Sequence, residues 1–181
     1  MPRKRQRPIH MRRQPRQPRI DLDPVGLAIS RASLLSAAQR APLLAASMGA
    51  FEAFRAGRGS AELWCGLADA MNVAEALAEA KVASDHKGTF SAAQAALAAV
   101  CARQAAGGSW TLFPAEITAL DDACFVHQVQ LEHCSQGEMA DAIALVKRRI
   151  AGALAGSPPQ GTIVCNPGLL GRPQAAEVAG A

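Results

Sequence analysis

Ser135-Gln136-Gly137-Glu138-Met139-Ala140-Asp141-Ala142-Ile143-Ala144-Leu145-Val146-Lys147-Arg148-Arg149-Ile150-Ala151-Gly152-Ala153-Leu154 is the stretch that decides the fold class. Ser135 followed three residues later by Glu138 is the capping-box signature of a helix start, in which each side chain satisfies the other's backbone N–H. Met139, Ile143, Val146, Ile150 and Leu154 then recur at spacings of four, three, four and four, the period of one buried helical face. No strand alternates in this way.

The same grammar extends backwards along the chain. Pro114 opens a helix through Ile117, Leu120, Cys124, His127 and Leu131. Ser91 with Gln94 reads as a capping box for a helix through Leu97, Val100 and Cys101, closed by Gly107-Gly108. Ser60 caps a long helix from Ala61 to about His86, striped by Leu63, Leu67, Met71, Ala74 and Leu77. Asp23-Pro24 starts a first helix running to about Arg40, with Leu27, Leu34 and Leu35 near one face. Pro42 breaks or restarts it, and a helix from Leu43 to about Ala56 ends at Gly57-Arg58-Gly59. Trp110 and Phe113, in the loop 109–113, are expected to plug the core.

Composition agrees. The 181 residues include 40 alanines but only 5 Phe, 2 Trp and no Tyr. Alanine is the best helix former and buries little area, whereas sandwiches, barrels and doubly wound sheets need β-branched and aromatic strands. The expectation is an all-α bundle of five to six helices over residues 24–155, with a disordered Arg/Pro-rich arm at 1–20 and a flexible Gly/Pro-rich tail at 156–181. Thr162–Cys165 is that tail's one strand-like fragment.

Charge divides the chain differently from hydrophobicity. Residues 1–20 hold Arg3, Lys4, Arg5, Arg7, Arg12, Arg13, Arg16 and Arg19 and no acid, leaving eleven basic against fifteen acidic residues in the remainder. The sequence pI near 9.0 is therefore the property of an arm attached to a mildly acidic body. Pro2, Pro8, Pro15 and Pro18 remove backbone donors and favour extended conformations, so the arm is expected to be mobile. Guanidinium groups pair with phosphate oxygens and release counterions, which makes nucleic acid the expected partner and those eight residues the expected contacts.

Residues 135–143 resemble the second helix of the Cro/repressor type of helix-turn-helix domain, which opens on Ser-Gln, then Glu, then an apolar residue and Ala. That family continues with a tight turn into a recognition helix, whereas Ala144–Arg149 carries the helical stripe straight on. Without the turn there is no recognition helix to enter a major groove, and the segment reads as a capped amphipathic helix. The Arg3–Arg19 stretch, the Arg-Pro-Ile-His at 7–10 and the helix pair 114–154 together resemble, in layout, small Ala-rich helical proteins of phages and mobile elements of GC-rich proteobacteria. That resemblance implies no activity and assigns no residue a role.

Chemistry is thinly represented. Cys124, His127, Leu131 and Cys134 share one helical stripe beside His133, but one helix offers zinc at most two well-placed ligands, so no metal and no cofactor is expected; a zinc-stabilised module is the third reading. Glu116, Asp121 and Asp122 sit near a helix start, where acids suit the dipole. Gly107-Gly108 lacks the Lys-Ser/Thr of a phosphate loop. An enzyme is not expected. The five cysteines are scattered without a CxxC, which fits a reducing compartment. The basic start runs into Asp21-Leu22-Asp23-Pro24 rather than an apolar segment, and no stretch is long and apolar enough to span a bilayer, so a cytoplasmic protein is expected. The reading is a non-enzymatic accessory protein with a nucleic-acid-binding arm and a helical body for protein contacts or self-association. The alternative is a helical adaptor or structural protein of a phage or mobile element with no nucleic-acid role.

Overall fold

The Asp23 carboxylate accepts a hydrogen bond from the Val25 N–H at 3.1 Å, and Pro24 stands at the first helical position. These two residues start α1 (Pro24–Ala32), the first of six helices in the computed structural model, which describes residues 23–83, 88–156 and 162–164. The others are α2 (Ala37–Arg55), α3 (Ala61–Glu79), α4 (Thr89–Ala105), α5 (Pro114–His133) and α6 (Gln136–Leu154). The all-helical architecture agrees with the sequence reading. Among the described residues no helix is long and apolar enough to cross a membrane.

Several boundaries differ from expectation, each for a tertiary reason. The first break falls at Ser33–Ser36 rather than at Pro42, which is accommodated inside α2. Ser36 and Gln39 form a reciprocal capping box there. The segment before it pairs with the α5–α6 junction: Leu35 N–H donates to the Cys134 carbonyl at 3.0 Å and Gln136 N–H to the Ser33 carbonyl at 2.8 Å. Those bonds replace about one turn of helix. Pro42, the sixth residue of α2, has no N–H for the Ala38 carbonyl and so costs the helix one intrahelical bond.

The third helix ends at Glu79, short of the expected His86. Lys81 takes the left-handed conformation, φ 65°, that glycine usually supplies, and its N–H reaches the Ala78 carbonyl while Val82 N–H reaches that of Leu77, both at 2.9 Å. Val82 is thereby turned inward against Leu77. Without a glycine at this C-terminus, nothing in the residue pattern announced the stop. Gly88 rather than Ser91 stands at the N-terminus of α4, and Gln94 does not cap the helix; it is buried. The fragment 162–164 is not a strand, although Asn72 holds it against the bundle.

α3 is the central element, packed against α2, α4, α5 and α6, while α1 lies on α6. Buried alanines such as Ala68, Ala74 and Ala93 allow close helix approach, and bulk comes from the few aromatics. Phe51, Phe54, Trp64 and Phe90 are all buried, and Trp64 Nε1–H donates to the Leu97 carbonyl at 2.8 Å. Trp110 does plug this core, its ring centroid 6.4 Å from Phe54 and 6.3 Å from Trp64. Phe113 does not. It lies exposed beneath the Arg103 guanidinium, 4.1 Å from ring centroid to carbon. A second cluster, around Leu35, Leu77, Leu131 and Met139, joins α3, α5 and α6.

Candidate functional site

Arg3, Lys4, Arg5, Arg7, Arg12, Arg13, Arg16 and Arg19 all lie outside the described residues, so the expected nucleic-acid contacts have no described geometry. The described body does show how its own cations are used. Arg31 pairs with Asp141, joining α1 to α6. Arg149 pairs with Glu79 at 2.7 Å, joining α6 to α3, and Arg55 with Glu52 at 3.0 Å within α2. Arg103 grips Glu116 with both nitrogens, at 2.6 and 2.7 Å, and also donates to the Thr111 carbonyl. The Arg103 guanidinium holds the Glu116 carboxyl below its ordinary range. Phe113 N–H donates to the same carboxylate at 2.7 Å, so Glu116 also caps α5.

The stripe Cys124, His127, Leu131 and Cys134 faces inward as expected, and His133 points to solvent. Burial pushes the Cys124 thiol up to about 12 and the Cys134 thiol up to about 11, far from the thiolate a nucleophile needs. Among the described residues no three His, Cys, Asp or Glu side chains converge as a metal site.

Two buried polar assemblies, neither singled out by the sequence reading, are the built features of the molecule. The first centres on Asn72 of α3. Its Nδ2 donates to the Ile163 carbonyl at 2.8 Å and its Oδ1 accepts from the Ile163 N–H at 2.9 Å. The side-chain amide thus reads the backbone of 162–164 as a neighbouring strand would. Gln94 Nε2 donates to Glu75 at 2.8 Å and lies 3.4 Å from Asn72 Oδ1, so α4 braces the same group.

The second assembly centres on Gln130 of α5, which is wholly buried. Its Nε2 donates to the Ala74 carbonyl at 2.9 Å and to the Val82 carbonyl at 3.1 Å. Both amide hydrogens are therefore spent, and Oε1 is left facing His127 Nδ1 at 3.2 Å. An oxygen with no proton opposite Nδ1 requires the proton to sit on Nδ1. Burial depresses the pKa of His127, so the ring is neutral and Nε2 is a bare acceptor.

The His127 ring forms part of the wall of a cavity of about 200 Å³ between α2, α3, α5 and α6. Leu43, Val73, Leu131, Met139 and Ile143 supply its apolar lining. Ala46, Gly66 and Asp69 are exposed and form its mouth, where partial burial raises the Asp69 carboxyl. The signal for both assemblies was present in the sequence. Asn72 adjoins Met71 of the apolar stripe of the third helix, and Gln130 lies three residues beyond His127 on the fifth. An amide at a core position demands buried partners, though those partners are backbone groups distant in sequence.

Comparison with protein-family models, with curated proteins and with solved structures finds no match to this chain.

Proposed function

We propose that this chain is a non-enzymatic accessory protein of the phage or mobile-element type, in which an arginine arm binds nucleic acid electrostatically and a helical body makes protein contacts. The segregation of charge carries the reading: eight cations and no acid in residues 1–20, against a body of net charge −4. The pairing of Arg31, Arg55, Arg103 and Arg149 with carboxylates supports it, because those body cations already have internal counterions. Arg3, Lys4, Arg5, Arg7, Arg12, Arg13, Arg16 and Arg19 act as interchangeable phosphate contacts, so losses on mutation are graded. Retention on DNA and RNA, measured at rising salt for the full chain and for a chain lacking residues 1–20, tests this. With eight phosphate contacts the logarithm of affinity falls with the logarithm of salt at a slope of about −7. Equal retention of the two chains would end the proposal.

A second reading, a helical adaptor without a nucleic-acid role, is favoured by exposed apolar side chains. Val25, Ile29, Leu34 and Phe125 are 57–69% exposed, and α1 buries none of its residues. Such surfaces mark protein contacts more often than free surface when they are contiguous. Light scattering across a concentration series tests for self-association, and a strict monomer would exclude it.

A further inference from the structure

We propose that the cavity between α2, α3, α5 and α6 is a binding site for a small neutral alcohol or phenol, whose hydroxyl donates to His127 Nε2 while its apolar body fills the space against Leu131, Met139 and Ile143. This is independent of the arm and of any partner of the body. Three observations lead to it.

First, the polarity of the site is set from behind. Gln130 is oriented by two backbone carbonyls, one on α3 and one just beyond it, and it holds the Nδ1 proton of His127. The ring therefore offers a lone pair and no proton at Nε2, and among the described residues no group donates to it. Ser47, the other polar side chain on the buried part of the wall, has turned its hydroxyl back to the Leu43 and Leu44 carbonyls of its own helix. The interior thus presents acceptors only, His127 Nε2 on a 96% buried side chain and the oxygen of the Ser47 hydroxyl, and no free donor. A ligand that supplies a donor satisfies His127 Nε2, whereas a purely apolar ligand strips it of water and leaves it unmet.

Second, size selects. At about 200 Å³ the space exceeds the roughly 150 Å³ cavity that accommodates benzene in an engineered protein. A single ring with one or two substituents fits. Third, Gly66 stands at the entrance and carries no side chain. A Cβ on Gly66 would meet no atom within 4 Å, so this glycine is required by no packing contact. In a helix interior it costs stability relative to alanine, and here it leaves the mouth of the cavity clear.

The test uses the full chain at pH 7 and two probes of nearly equal shape, p-cresol and p-xylene, in which a methyl group replaces the hydroxyl. Calorimetric titration should show p-cresol binding roughly three- to tenfold more tightly than p-xylene. In ¹⁵N spectra of the histidines, p-cresol should shift the His127 Nε2 resonance while Nδ1 keeps its proton. Gly66→Leu, which fills the mouth at a position with free space around it, should keep the helical content and lose p-cresol. The proposal is overturned if the folded protein binds neither probe, if p-xylene binds as tightly as p-cresol, or if Gly66→Leu binds p-cresol undiminished.

Discussion

Asn72, in the middle of α3, closes two hydrogen bonds with the backbone of Ile163, ninety-one residues away. The side chain is 1% exposed, so both bonds are made out of water. They are the means by which a stretch with no regular structure of its own is registered against the bundle, and Thr162 beside it becomes buried.

Asn72→Ala therefore removes a donor and an acceptor together and leaves the N–H and C=O of Ile163 seeking water. A loss of about 2–3 kcal/mol is expected from two buried hydrogen bonds. Because 162–164 contributes little to the remaining core, the loss should appear first as local release. Hydrogen exchange checks this: the Ile163 amide should lose its protection while amides in the centre of α3 keep theirs. Joint loss across the bundle would show that the segment is integral to the global fold.

Gly137, at the start of α6, faces the Arg31 carbonyl of α1; a Cβ there would stand 2.8 Å from that oxygen and 3.2 Å from Arg31 Cβ. Gly137→Ala must push the two helices apart, at about 1–3 kcal/mol for an overpacked contact. The bonds from Gln136 N–H to Ser33 and from Leu35 N–H to Cys134 lie beside the clash and should weaken with it. Exchange rates of those two amides rise in the variant. Unchanged rates would mean that α1 is not held by this approach.

His127 and Glu116 each give the stability a pH dependence, in separate windows. His127 has a folded pKa depressed by burial below its ordinary 6.5. Between those two values the unfolded chain binds the extra proton, so stability is full above pH 6.5 and falls as the pH drops below it. Glu116, depressed by Arg103 below its ordinary 4.5, adds stability that is present above 4.5 and lost as the pH falls below that value. Urea midpoints measured from pH 8 to pH 3 should decline in two steps. Glu116→Gln should flatten the lower step and cost about 1.5–3 kcal/mol at neutral pH, the range for hydrogen bonds to charged groups.

Cys124 and Cys134 have thiols raised to about 12 and about 11 by burial, and neither forms thiolate at neutral pH. Cys65 and Cys101 are half-buried. A thiol-reactive dye at pH 8 should label Cys65 and Cys101 in the folded protein and reach Cys124 and Cys134 only at the rate of unfolding, as resolved by mass spectrometry of the digested protein. Prompt labelling of Cys124 would contradict its burial.

Local interactions are what the sequence declared well. Ser135 with Glu138, Asp23 with Pro24, and Pro114 each act within four residues, and each starts a helix where it was expected. Gly57 and Gly107 likewise end α2 and α4 with left-handed backbone. Where the reading slipped, the deciding contact was distant. The break at Ser33–Ser36 follows from pairing with Cys134–Gln136. The early stop of α3 turns Val82 inward, where its carbonyl accepts from Gln130. Gln94, a plausible cap by spacing, is drawn instead to Glu75 on the facing helix.

By itself, then, the residue order determined an all-α bundle and placed its positive charge at one end, because propensity, capping and net charge are summed over neighbours. Only tertiary packing decided that Asn72 clasps Ile163, that Gln130 dictates the proton on His127, and that a cavity opens beside that ring. Those features depend on where backbone groups from segments distant in the chain meet buried side chains in a space that excludes water. No periodicity encodes the meeting point of groups some fifty to ninety residues apart.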